Sequence, residues 1–238
     1  VGVSQKSTSQ ETTSSGMTFS MGPRFTKMTE DDYVTDEMLE DLEERYADSI
    51  QGFSLTESVG SGTAQLGSLY AYVNATGLNE ANLENTDLTL LAGRTLTVRD
   101  QAEAKKVCLV SDYLVNNLFN GNNMAAVGQT VDVLFNNRYY TYTIVGVYKY
   151  EESDMGFSSS SEEDTETTLY LPLQTAKNQT HNTNGYSQFT ILTTSGVSAT
   201  SFCDTVENYM NNRYYQDNDS FEISAMSMES IVESMTSM

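Results

Sequence analysis

The sequence has no tryptophan, one histidine, two cysteines and two prolines in 238 residues. Each scarcity removes a class of explanation. A Ser-His-Asp triad would have to use His181, and no Gly-x-Ser-x-Gly elbow accompanies it, so a solvated loop histidine is the expected role. Cys108 and Cys203 form no Cys-x-x-Cys motif and stand in no Cys/His metal spacing. Cys108 lies in the buried-strand pattern Val107-Cys108-Leu109-Val110, and Cys203 lies on a predicted helix. A disulfide is permitted outside the cell, but two free buried thiols are the simpler expectation. No apolar run is long enough to span a bilayer, and no signal-peptide pattern is visible.

Positive charge is also scarce. Lys and Arg total 12 against 33 Asp and Glu, for a net of -21. Such a surface repels phosphate backbones and excludes nucleic acid as a partner. It repels anionic headgroups too, within a screening length of about 8 Å at physiological salt. Its first meaning is solubility. Hydrophobic residues make up 38%, low for one compact globule. The 15 tyrosines and 9 phenylalanines supply core material, so the core is expected to be divided among smaller subdomains.

The order of patterns along the chain gives an α+β reading. Residues 4–22 are Ser/Thr/Gln-rich without periodicity and read as an extended lead-in. A helix is expected over residues 36–46, with Met38, Leu39, Leu42 and Tyr46 on one stripe, Thr35 as N-cap and two acids in the first turn. Phe53, Leu55 and Val59 alternate as a strand, Gly60-Ser61-Gly62 reads as a bend, and residues 66–73 form a second strand. Residues 79–87 read as polar and loop-like, with a helical turn as an alternative. Residues 107–110 are a strand that leads into a helix capped by Ser111. Val131–Phe135, Asn136-Asn137 and Tyr139–Val147 make a hairpin, because asparagine tolerates positive φ. Residues 151–167 read as a mobile acidic loop, residues 168–172 as a strand and residues 178–185 as a connector. A strand at 188–193, a helix at 197–213 and a strand at 221–225 form a β-α-β unit. Ser227 caps a last helix carrying Ile231, Val232 and Met235.

Few patterns suggest chemistry. Gly60-Ser61-Gly62-Thr63 lacks the lysine and the strand-to-helix setting of a phosphate loop. Asp217-Asn218-Asp219-Ser220 lacks the glycine and terminal glutamate of a calcium loop and reads as a turn. Carboxylate pairs are too common here for one to mark an acid/base couple. Tyr139-Tyr140 and Tyr214-Tyr215 are candidate binding stripes, although one tyrosine of each pair is expected to face the core.

A set of segments carries a resemblance. Leu90-Leu91-Ala92-Gly93-Arg94-Thr95-Leu96-Thr97-Val98-Arg99-Asp100 resembles the "LL-x-GR-x-F/L-T-x-x-D" segment in the external domain of MacB-like and FtsX-like ABC-transporter permeases. Residues 107–119 resemble the strand and helix that follow there. Val127–Val133 resembles the family's "xVGxxVxV" stretch, Thr143–Val147 its "TVVGV" strand, and Leu169–Pro172 its "VYVP" strand. The segments occur in family order across roughly residues 30–235. Residues 151–167 look like a local insertion, and the first 25 residues match nothing in the pattern. Within these motifs Gly93 is expected to supply a backbone shape forbidden to other residues, Arg94 to tie a loop to a nearby carboxylate, and Gly146 to allow a bulge or close packing.

The resemblance implies a MacB periplasmic core domain-like fold. A porter-like β-α-β subdomain is built from both chain ends, with a β-rich sabre-like subdomain inserted. The expected divisions are 1–28 (lead-in), 29–66 (porter-like, first part), 67–185 (sabre-like) and 186–238 (porter-like, second part). The chain opens without methionine and closes on a helical pattern at 230–238, so a segment held between two membrane helices is expected. The implied role is an external domain on the extracytoplasmic face of the cell membrane, suggestive of a Gram-positive surface. It would relay ATP-driven change and dock a partner or cargo for export or extraction of peptides, drugs or lipoproteins. Implied partners are a cytoplasmic ABC ATPase, a second permease copy or paralogue, and a membrane-fusion-type accessory protein. No catalytic, cofactor-binding or metal-binding residue is implied. The alternative is a secreted or lipid-anchored module that binds peptide or glycan on its tyrosines, and a hydrolase using His181 is a distant third.

Overall fold

The structure, a computed structural model, describes residues 1–6, 27–151 and 164–228. It divides into two compact units, one of Val1–Phe53 with Asn184–Met238 and one of Ser54–Thr183. In chain order the first unit opens with β1 (Gly2–Gln5), α1 (Asp36–Arg45) and β2 (Ile50–Ser54). The second unit contains β3 (Thr56–Leu66), β4 (Leu69–Leu78), α2 (Glu80–Asn85), β5 (Leu90–Gly93), α3 (Val98–Ala102) and β6 (Val107–Ser111). It continues with α4 (Asp112–Phe119), α5 (Asn123–Ala126), β7 (Thr130–Phe135), β8 (Arg138–Tyr148), β9 (Thr167–Pro172) and α6 (Leu173–Thr180). The first unit then resumes with β10 (Thr190–Thr193), α7 (Ala199–Arg213) and β11 (Phe221–Ser224).

The first unit is organised around α7. Phe202, Val206 and Met210 recur every four residues, so they share one stripe, and all three are buried. β10 pairs with β2, and β11 pairs with β1. β1 also touches the segment before β10. The Val3 N–H donates to the Ser187 carbonyl at 2.9 Å and the Phe189 N–H to the Val1 carbonyl at 2.9 Å. The first strand of the chain is thus laid between β11 and the segment that leads into β10. Residues 2–5, expected to be part of an extended lead-in, are therefore a paired strand: alternate buried Phe221 and Ile223 make β11 a half-buried strand whose backbone needs a partner. α1 begins as expected, with the Thr35 hydroxyl accepting from the Met38 N–H and Leu39 and Leu42 buried.

The second unit is a seven-stranded mixed sheet in the order β5-β8-β6-β9-β4-β3-β7. β7 pairs again with β8, so six strands close into a ring and β5 is added beside β8. Closure removes sheet edges that would otherwise expose unpaired backbone. β4–β9 and β6–β8 are parallel and the other pairs antiparallel. Ala64, Val73, Val110, Val133, Ile144 and Leu169 fill the interior, and Leu114 and Leu118 of α4 pack into the same cluster. The β7–β8 turn uses Asn136 and Asn137 at φ 47° and 62°, the backbone that a two-residue hairpin requires. Ser111 caps α4 by accepting from the Leu114 N–H at 3.1 Å.

Three expectations change. Gly60-Ser61-Gly62 is not a bend; β3 runs through it. Gly60 has φ +109° and sits where the β3–β4 register shifts, and a Cβ on Gly62 would lie 2.5 Å from the Phe135 ring. Residues 173–180 are helix α6, so the connector begins later than residue 178. Its apolar anchors are essentially Leu173 and Ala176, too few to make a periodicity. The units divide after Phe53 and Thr183, not after residues 66 and 185. β3 pairs with β4 over its full length, from Thr56 opposite Leu78 to Leu66 opposite Leu69, and that ladder holds residues 54–66 in the inserted unit. Of the acidic loop expected over 151–167, residues 152–163 lie outside the described residues and Thr167 already belongs to β9; the expected last helix beyond residue 228 also lies outside them.

Candidate functional site

The residues of the Gly93-Arg94 segment build a corner of the second unit. Gly93 and Gly146 face each other across β5 and β8. Gly93 has φ +76°, and a Cβ there would sit 2.3 Å from the Val145 carbonyl oxygen. A Cβ on Gly146 would sit 2.3 Å from the Arg94 carbonyl oxygen. Two backbones approach where only hydrogen fits. Arg94 then reaches Asp100, with Nη1 2.6 Å from Oδ2. Asp100 also accepts from the Thr97 N–H at 3.0 Å and the Thr97 hydroxyl at 2.8 Å, which closes a capping box on α3. Burial works to raise the Asp100 pKa, but the hydrogen bonds from Arg94 and Thr97 and the charge of Arg94 outweigh it and hold the carboxyl well below its usual range. All three motif residues are therefore architectural, as expected.

A different assembly occupies the first unit, between α1 and α7. Asp41 on α1 accepts from the Tyr209 hydroxyl at 2.6 Å and the Tyr214 hydroxyl at 2.7 Å. Arg213 places Nε 3.2 Å from Asp41 Oδ2. The hydroxyls of Tyr209 and Tyr214, with the nearby arginine charges, lower the Asp41 pKa despite an opposing burial effect. The hydrogen bond to Asp41 raises the Tyr209 pKa in turn. With its ring fixed by that bond, Tyr209 presents a face to Arg45, whose guanidinium lies 4.7 Å from the ring centroid. Tyr46 packs edge-on to Tyr209 at 5.7 Å and to Phe202 at 5.6 Å. Arg45, Tyr46, Tyr209 and Arg213, with Asn208 and Asn212, line an open groove of about 560 Å³.

The second unit carries an apolar face near the β3–β4 turn. Leu66, Leu69, Tyr70, Tyr72 and Tyr139 are all exposed, Tyr139 at 62%. Tyr70 and Tyr72 meet edge to face at 5.6 Å.

The comparisons with known proteins agree with this architecture. A sequence model of the MacB-like periplasmic core domain matches residues 1–209. The chain belongs to the MacB-like periplasmic core domain family. Among solved structures, the periplasmic region of MacB from Actinobacillus actinomycetemcomitans is 19% identical, with a TM-score of 0.62 over 84% of this chain and 81% of that one. The extracellular domain of the noncanonical ABC-type transporter YknZ from Gram-positive bacteria is also 19% identical, with a TM-score of 0.60 over 82% and 89%. The comparison with curated proteins gives no match. The MacB-like domain described here is thus the external, extracytoplasmic domain of an ABC-transporter permease, and membership implies a transporter with a cytoplasmic ATPase. Domains of this family are non-catalytic parts of transporters. Among the described residues no helix is long and apolar enough to cross a membrane.

The candidates weighed in the sequence fall into place one by one. His181 caps α6 in a left-handed conformation, φ 57°, with its N–H donating to the Lys177 carbonyl. Cys108 and Cys203 are free thiols, in different units. Asn218 organises the 217–220 turn: its side-chain oxygen accepts from the N–H groups of Ser220 and Phe221. Tyr215 is buried and donates to the Asp32 carbonyl at 2.9 Å, whereas Tyr214 is turned to Asp41. Tyr140 packs on the core and Tyr139 is exposed. The α1/α7 groove was not expected. Its traces are Asp41 with Arg45 and Tyr209 with Arg213, each four residues apart and so on one helix face, in a chain with few arginines.

Proposed function

We propose that this MacB-like domain is held at both ends and relays ATP-driven movement to its outer surface, where it docks a partner or cargo. The observation that carries the reading is the antiparallel β1–β11 ladder, with Gly2 opposite Ser224. In an antiparallel pair the start of one strand lies beside the end of the other. Gly2 and Ser224 of the first unit therefore lie side by side, an arrangement that fits an insertion between two neighbouring membrane helices. A displacement of those helices then moves both strands of one ladder, and the unit follows as a body because β1 is also bonded to the segment before β10. The transported class on this reading is peptide, drug or lipoprotein, with a second permease copy or a paralogue alongside.

The test uses the full-length permease with its ATPase in lipid. A spin label at exposed Asp48 on each permease copy reports the distance between domains by pulsed electron resonance. Trapping the ATPase with nucleotide is expected to shift that distance distribution. An unchanged distribution, in a preparation whose ATPase is shown to be trapped, refutes the relay.

A further inference from the structure

We infer that the α1/α7 groove of the first unit is a docking site for an acidic peptide segment, which it holds by a carboxylate side chain. The inference stands on the groove alone and survives or fails independently of the relay.

Four basic residues of the first unit are described: Lys6, Lys27, Arg45 and Arg213. Both arginines line this one groove. A chain with a net charge of -21 has thus gathered cations where the surface is also aromatic. The two arginines differ in state. Arg213 is tied down: its Nε donates to the Tyr214 hydroxyl at 3.1 Å, and its Nη2 donates to Asp41 Oδ1 at 3.3 Å. Arg45 is exposed, and among the described residues it makes no ion pair; its contacts are with the rings of Tyr46 and Tyr209 at 5.9 and 4.7 Å. A guanidinium stacked on a ring keeps its N–H edge outward, and that fork matches a carboxylate.

Charge decides the class of ligand. The lining residues include two arginines and no carboxylate, and Asp41 beside them, acted on by both arginine charges, brings the formal charge of this cluster to +1. That suits a monoanionic carboxylate better than a phosphate, which carries about -1.5 to -2 near neutral pH. The rim residues Asn208 and Asn212 offer amide donors and acceptors of the kind that recognise a peptide backbone. The aromatic floor of Tyr46 and Tyr209 takes the aliphatic stem of a glutamate. The overall negative field opposes an acidic partner at a distance, but it is screened at physiological salt, whereas a contact pair is not.

The experiment titrates the isotopically labelled 238-residue chain, at about 0.15 M salt, with three capped pentapeptides. They carry one glutamate, glutamine or phosphoserine between glycines. The side-chain Nε–Hε signals of Arg45 and Arg213 are the readout. The glutamate peptide is expected to shift both saturably and to bind at least about ten-fold more tightly than the glutamine peptide. Arg45→Gln is expected to abolish the response at Arg213. Arg45→Lys is expected to weaken it, because lysine keeps the charge and loses the fork. Equal titration by glutamate and glutamine peptides, no response to any peptide, or full binding by Arg45→Gln overturns the site. Tighter binding of the phosphoserine peptide overturns the carboxylate assignment.

Discussion

Asp100→Asn tests the physical account of the family segment most directly. Asp100 is fully buried and accepts from Arg94 at 2.6 Å, from the Thr97 N–H at 3.0 Å and from the Thr97 hydroxyl at 2.8 Å. Lys105 lies 3.4 Å from its second oxygen. An asparagine has the same outline but turns an NH2 group toward donors, so at least one of these bonds becomes a clash of donors. Hydrogen bonds to a charged acceptor contribute about 1.5–3 kcal/mol each, and breaking a fully buried pair costs about 3–5 kcal/mol. Arg94 and Lys105 are partly exposed, with side chains 48% and 34% accessible, and they recover water when released. The expected loss is therefore about 2–3 kcal/mol. In urea at pH 7, followed by far-ultraviolet circular dichroism, that loss lowers the midpoint by roughly 1 M for a slope of about 2 kcal/mol/M. The pH dependence has a definite sign. The folded-state carboxyl titrates below its unfolded value near 3.9. Its stabilisation is fully present above that unfolded value and is lost as pH falls toward the folded one, so the deficit of the variant shrinks on acidification. A deficit under about 0.5 kcal/mol at pH 7, or one that grows as pH falls, refutes the reasoning.

Four further outcomes follow from the same structure. Gly146→Ala drives a Cβ to 2.3 Å from the Arg94 carbonyl oxygen and is expected to destabilise by at least about 1–3 kcal/mol; a thermal midpoint equal to that of the parent contradicts the close approach. Asn136→Val forces a β-branched side chain to a φ of 47° in the β7–β8 turn and is expected to cost about 1–2 kcal/mol, read from the same urea transition. Deleting residues 1–5 removes the partner of β11, so the amides of Glu222 and Ser224, which face β1, should lose hydrogen-exchange protection, while those of Phe221 and Ile223, bonded to Asn218 and Asn211, and those of β6 and β8 keep theirs. Burial pushes the Cys108 thiol well above its ordinary pKa and raises that of the less buried Cys203. Iodoacetamide at about pH 8, near the ordinary thiol pKa, should therefore label Cys203 faster in the native protein and both alike in denaturant.

The Gly93-Arg94-Asp100 segment illustrates how much of the site was legible in sequence. Its glycine needs a positive φ and its arginine needs a carboxylate, and both needs are stated by residue type alone. Asp100, six residues on, was within reach of the same reading. The α1/α7 groove was not. Asp41 and Arg45 are separated from Tyr209 and Arg213 by more than 160 residues, and neither pair means anything until two helices meet. Short elements were lost for a related reason. α3 and α6 span five and eight residues, less than the window over which a 3.6-residue period can be counted.

By itself the sequence determined what depends on neighbours along the chain. The stripes of α1 and α7, the caps at Thr35 and Ser111, and the Asn136-Asn137 hairpin are set by side-chain period and by backbone freedom at single residues. The recognisable segments, read in order, placed the chain in its family. The tertiary structure alone decided which strands far apart in sequence share a ladder. Hydrogen bonding between strands is indifferent to sequence distance, so a four-residue segment at the start of the chain could become the partner of β11. The same indifference let β3 join the inserted unit through β4 and close a ring through β7. It also gathered scarce arginines and tyrosines from two distant helices into one groove.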